Sequence, residues 1–104
     1  MGAEKRAHIR VPTRLRVVYE HGGARIEARS RDLSLGGMFV EDVPPLPFGT
    51  ELVVRVTLPA LDRPAELRCV VRWVKSDGMG LAFGPLRAAE TWAINQLVAD
   101  YTRG

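Results

Sequence analysis

A chain of 104 residues is long enough for one domain with a single modest core and too short for two, so residues 1–104 are expected to fold as one unit. Hydrophobic residues make up 46% of it, yet no apolar run approaches the roughly 18 that span a bilayer. Membrane insertion and a secretory leader are therefore disfavoured, and the expected location is the cytoplasm. The formal charge of +3 is spread unevenly: residues 1–31 hold eight Lys or Arg against three acids, and residues 32–104 hold seven against nine. The first third is the part expected to face an anion.

Residues 1–13 show no hydrophobic period, and Pro12 turns Val11 away from helix, so this stretch reads as an extended basic arm. Over residues 14–20 Leu15, Val17 and Tyr19 share one face, and Gly22-Gly23 then supplies a reversal. Residues 25–31 alternate with Ile26, Ala28 and Ser30 on one side. Residues 32–37 break the alternation and are expected to connect to a third strand at 38–41. Pro44-Pro45-Leu46-Pro47 marks a surface loop, with a rigid connector preferred over a peptide ligand for a PxxP receptor.

Leu52, Val54, Val56 and Leu58 alternate through residues 51–58, and residues 59–64 form the next turn. In residues 65–75 Leu67, Cys69, Val71 and Trp73 fall on one side, Asp77-Gly78 is a turn dipeptide, and residues 79–83 complete the set. Six short strands with close turn signals favour an antiparallel barrel or sandwich, here a six-stranded barrel over residues 14–84. Beyond Pro85, apolar residues recur at three- or four-residue steps (Leu86, Ala89, Ala93 or Ile94, Leu97, Val98, Tyr101), which predicts an amphipathic helix over 86–102. Trp92 is a candidate to pack at a barrel opening. Val53, Val70 and Val74 fall on outward faces, beneath the helix or in a subunit interface, so a homo-oligomer is compatible with the pattern. The fold class is all-β with one terminal helix.

A single cysteine, Cys69, rules out an intrachain disulfide and a cysteine metal cluster, and its apolar neighbours mark it as a core thiol. His8 and His21 lie apart without a third ligand, so neither a metal nor a resident cofactor is expected. No phosphate loop or nucleophile–base pair is present, which argues against an enzyme.

Two clusters, Arg6-Ala7-His8-Ile9-Arg10 and Asp32-Leu33-Ser34-Leu35-Gly36-Gly37, are separated by 21 residues and carry the chemistry. Two guanidinium forks can pair with phosphate oxygens or with the acceptor edge of guanine. A carboxylate can accept from guanine's opposite edge, a hydroxyl can donate or accept, and glycines allow close backbone approach. Each cluster alone is weak, since RxxxR is common in arginine-rich chains and DxSxxG is a common turn composition. In this order, with Val11-Pro12 following, they resemble the paired RxxxR and (D/N)xSxxG signatures of PilZ domains. Val71-Arg72-Trp73 and Gly78-Met79-Gly80-Leu81-Ala82-Phe83 also look like the late strands of that family.

The resemblance implies a receptor for the bacterial second messenger cyclic di-GMP, a regulatory ligand rather than a cofactor. It carries over Arg6 and Arg10 as phosphate and guanine ligands, Asp32, Ser34 and Gly37 as barrel-side contacts, and Gly36 as an additional contact. Lys5 and His8 are auxiliary candidates, Lys5 because its family position influences whether one nucleotide or a stacked pair binds. One half of this site lies on the arm and the other on the barrel, so a ligand that bridges them would order the arm and alter the surface shown to a protein effector. Two other readings stand beside it. One is a ligand-independent adaptor of the same fold. The other is a small barrel binding nucleic acid, disfavoured because the seven aromatic residues do not make a stacking platform and Tyr19, Phe39, Trp73 and Phe83 read as barrel or core groups.

Overall fold

The computed structural model describes residues 9–103. Seven strands precede one helix: β1 (Val11–Pro12), β2 (Arg16–His21), β3 (Ala24–Leu33), β4 (Gly37–Glu41), β5 (Glu51–Val56), β6 (Ala65–Lys75), β7 (Gly78–Phe83) and α1 (Ala88–Arg103). The neighbours run β1-β3-β2-β5-β6-β7-β4, and β4 pairs back onto β3. That last pairing closes the six strands β2 to β7 into an antiparallel barrel, which leaves them no free edge.

Period-two alternation places the core. Val17 and Tyr19, Val54 and Val56, Leu67, Cys69 and Val71, Met38 and Val40, and Met79 and Leu81 all point inward and are buried. The β2–β3 hairpin turns on Gly22 and Gly23, whose φ values of 60° and 81° are those that a two-residue turn of the right twist demands. Loop residues Val43 and Leu46 tuck into the core beside the prolines. The helix buries Ala93 and Ile94, with Leu97 and Val98 packed alongside. Its start is closed by Glu90, whose carboxylate accepts the Arg87 N–H at 2.9 Å and pairs with the Arg87 guanidinium at 3.3 Å, which explains a buried acid in an apolar stripe.

Five local expectations are corrected. Val11–Pro12 is a strand paired with β3, so the arm joins the sheet before residue 13. β3 continues to Leu33, which puts Asp32 inside a strand and shortens the connection to residues 34–36. Ser76 and Asp77 form the β6–β7 turn, and Gly78 belongs to the strand. Trp92 lies on the solvent side of the helix, because Ala93 and Ile94 turn the opposite face to the barrel. Val53 and Val74 are about half exposed, so the helix does not cover them.

Candidate functional site

Two β-bulges build the site. On β3 the register slips between Ser30 and Asp32, making Arg31 an extra residue; on β6 it slips between Val71 and Trp73, making Arg72 extra. A bulge reverses the in-out sense of everything beyond it. Leu67, Cys69 and Val71 therefore face the core, while Trp73, which simple alternation puts on the same side, is turned outward and is 60% exposed. Phe39, between the core residues Met38 and Val40, also lies on the outer wall but is buried there, so Trp73 alone leaves the face on which alternation put it.

The resulting outer row crosses four strands: Asp32 on β3 pairs with Phe39 on β4, Phe39 with Gly80 on β7, and Gly80 with Trp73 on β6. Its ends are about 14 Å apart along the barrel wall at the usual strand spacing. Glycines on β7 make room for the rings. A Cβ at Gly80 would come within 2.8 Å of Trp73 Cε3, and one at Gly78 within 2.7 Å of Phe39 Cε1. The indole thus lies across a bare stretch of backbone. Arg31 stacks on Phe39 with its guanidinium carbon 4.2 Å from the ring centroid, and Lys75 Nζ stands 5.7 Å from the same centroid. Arg31 also reaches Glu41 at 3.3 Å and Asp77 at 3.4 Å, holding the cation against the wall.

Asp32 marks the other end of the row. Its Oδ1 accepts from the backbone N–H of Phe39 at 3.2 Å and from Arg10 Nη2 at 2.8 Å. Both charged side chains remain partly open to solvent. The contact joins the two sequence clusters across 22 residues, and the seam beneath it explains how. Val11, fully buried, pairs with Leu33, and Pro12 pairs with Asp32. Ser30, also fully buried, accepts the Leu15 N–H at 2.8 Å through Oγ and donates the same hydroxyl to the Thr13 carbonyl, bridging the gap between β1 and β2. Arg10 therefore leaves the sheet one residue before an anchored strand, beside the carboxylate it meets.

The remaining cluster residues shape the loop. Ser34 is buried; its N–H donates to the Gly37 carbonyl at 2.8 Å, and its Oγ accepts the Gly36 N–H at 3.1 Å and lies 3.4 Å from the Gly37 carbonyl. Gly36 O accepts from the Phe83 N–H at 2.9 Å. Gly37 sits against β7, where a Cβ would lie 3.1 Å from the Leu81 carbonyl carbon and 3.2 Å from Ala82 Cα, closer still to the Leu81 oxygen. Its close approach is to this protein's own backbone. Lys5, Arg6 and His8 lie outside the described residues. Sequence reasoning missed Arg31 and Lys75, read Phe39 only as a barrel or core group, and put Trp73 on the inward face; two glycines spaced by one residue in β7 were the available signal that rings lie on that wall.

Among the described residues no three His, Cys, Asp or Glu side chains come together in a manner suited to a metal, and no helix is long and apolar enough to cross a membrane. No curated protein matches the chain. Among solved structures it is similar to the inhibitor of motility MotI/DgrA of Bacillus subtilis, with a TM-score of 0.78 and 20% identity, over 93% of this chain and 51% of that one. It is also similar to the PilZ domain of CeSA from a cellulose-synthesizing bacterium, with a TM-score of 0.67 and 19% identity, over 86% of this chain and 94% of that one. The chain thus spans about half the length of the first of these proteins and most of the second. A family model for the PilZ domain matches residues 4–100, nearly the whole sequence: the chain belongs to the PilZ domain family.

Proposed function

We propose that this protein is a cyclic di-GMP receptor that acts on a protein effector rather than as an enzyme. The observation that carries the reading is the 2.8 Å contact between Arg10 and Asp32, which brings the second arginine of RxxxR onto the aspartate of DxSxxG. A guanidinium and a carboxylate held side by side, both reachable from solvent, offer complementary hydrogen-bonding edges to guanine and a cation to its phosphate. Trp73 at the far end of the outer row supplies an aromatic face for a base, and Arg31 and Lys75 between them add positive charge along the path of a phosphodiester ring.

In this reading Arg6 closes over the nucleotide from the arm, and the anchored segment at Val11 and Pro12 is the hinge from which it folds. Ordering the residues before Arg10 costs conformational entropy of about 1–2 kcal/mol each, offset by charge-assisted hydrogen bonds of about 1.5–3 kcal/mol each. Ser34 and Gly36 hold the loop in shape, and their contribution to affinity is through that shape. The surface changed by arm closure is what the effector reads.

Calorimetric titration with cyclic di-GMP tests this directly. Wild-type protein is expected to bind saturably, and Arg10→Ala, folded by circular dichroism, to bind about 10- to 100-fold more weakly, which is one to two hydrogen bonds' worth of free energy. A folded wild-type protein that gives no binding heat and no change in indole emission overturns the receptor reading and leaves the ligand-independent adaptor. Cleavage by protease within residues 7–9 should slow when the nucleotide is bound; equal rates would remove arm closure from the mechanism.

A further inference from the structure

We propose that the outer face of the β5–β6 pair is a self-complementary docking surface, and that its occupant is a second copy of this chain. Four outward residues form a square on two neighbouring strands: Glu51 lies opposite Val70, and Val53 lies opposite Arg68. The intervening Leu52, Leu67 and Cys69 face the core, which fixes all four on the outside. One diagonal of the square is apolar, Val53 with Val70, and the other is charged, Glu51 with Arg68. Val53 is 51% exposed despite its position mid-strand.

A two-fold axis lying along the apolar diagonal, in the plane between two facing sheets, places Val53 and Val70 of one copy on the same residues of the other. The same rotation carries Glu51 onto the Arg68 position of the facing copy and Arg68 onto Glu51. One operation therefore gives valine on valine at the centre and two opposite-charge pairs at the rim, which is the pattern an isologous contact requires. The charges are open to this use. Across the same strands Arg55 and Glu66 pair within the chain at 3.3 Å, whereas among the described residues neither Glu51 nor Arg68 makes an ion pair. The four residues line a shallow recess of about 420 Å³ that Gly84 and Pro85 bound on one side. The square is small against the roughly 1,200 Å² total of a standard stable interface, so the dimer is reversible and concentration-dependent.

The surface is independent of the nucleotide reading, since Asp32 and Arg10 lie on β3 and before β1, and Arg10→Ala should leave association unchanged. Sedimentation velocity of the full chain, from micromolar to near-millimolar concentration, tests it. Wild-type protein should shift from monomer to dimer. Glu51→Arg and Arg68→Glu should each weaken association by about tenfold or more, because each turns two attractions into two repulsions. The double variant Glu51→Arg/Arg68→Glu should return to the wild-type curve, a rescue that only a two-fold pairing of these residues provides. Val53→Cys should be joined to its own copy by a short bis-maleimide linker that spans the roughly 10 Å between facing sheets, with Cys69 silent in the core. A wild-type protein monomeric throughout, a double variant no better than the singles, or absence of the Val53→Cys cross-link would each overturn the proposal.

Discussion

Gly37→Ala separates two meanings of one glycine. If Gly37 exists so that a ligand can approach the backbone, alanine will spare stability and reduce binding. The structure assigns the close approach to β7 instead, with an added methyl 3.1 Å from the Leu81 carbonyl carbon and 3.2 Å from Ala82 Cα, in contact with backbone on a paired strand. Neither atom can swing away as a side chain would. Accommodating the methyl pushes β4 from β7 and strains the Phe83 N–H to Gly36 carbonyl bond of 2.9 Å at the same point. Overpacking of this kind costs about 1–3 kcal/mol and a weakened hydrogen bond about 1 more. The lower chain entropy of alanine in the unfolded state returns about 0.4–1 kcal/mol. The net loss is about 2–3 kcal/mol, which for a domain of this size lowers the thermal midpoint by about 10–20 °C. Differential scanning calorimetry measures the midpoint, and titration with cyclic di-GMP well below it measures what remains of binding. A midpoint within a degree or two of wild type, together with abolished binding, would refute the packing argument and restore the glycine to the ligand.

Ser30→Ala removes a buried hydroxyl that serves Leu15 N–H and the Thr13 carbonyl, and urea denaturation should show a loss of about 2 kcal/mol, with hydrogen exchange at Leu15 accelerated. Asp32→Asn should weaken cyclic di-GMP binding by about tenfold while leaving the midpoint nearly unchanged, since its ion pair with Arg10 is partly exposed and surface pairs contribute about 0–1 kcal/mol. Burial pushes the Cys69 thiol from 9.0 up to about 12, and burial raises the Tyr19 phenol as well. The folded state therefore holds protons that the unfolded state has released above pH 9, so the contribution of these two groups should be constant below that pH and fall as pH rises through the window towards 12, as followed by urea midpoints. Cys69→Ala should flatten part of that fall, and native protein at pH 8 should resist alkylation until unfolded.

What could be read from the residues follows from what period-two alternation encodes. Leu52, Val54, Val56 and Leu58 announce an inward face because nothing interrupts their strand, and all but Leu52 are fully buried. The positions of Trp73 and Asp32 were not legible in the same way. Each lies just beyond a bulge, and a bulge is a disagreement between two strands that either strand alone does not record. The β1 pairing escaped for a related reason: two residues have no period, and Val11 is buried by its match with Leu33 rather than by any local pattern. By contrast the RxxxR and DxSxxG clusters were visible because their meaning is in residue type and order. That Arg10 and Asp32 meet needed the seam at Ser30, whose hydroxyl looks in sequence like one more small polar residue on an alternating strand.

That seam gives β3 a role beyond support. Ser30 ties down the chain between β1 and β2, Arg31 is the bulge and stacks on Phe39, Asp32 holds Arg10, and Leu33 packs on Val11, so four consecutive residues link the arm, the outer wall and the core. A bulge is what allows it: without the extra residue, Asp32 and Leu33 would exchange faces, the carboxylate would enter the core and the apolar side chain would meet solvent. The arm root and the carboxylate are thus fixed by one strand segment, and a ligand that draws on Arg10 acts on backbone already rigid.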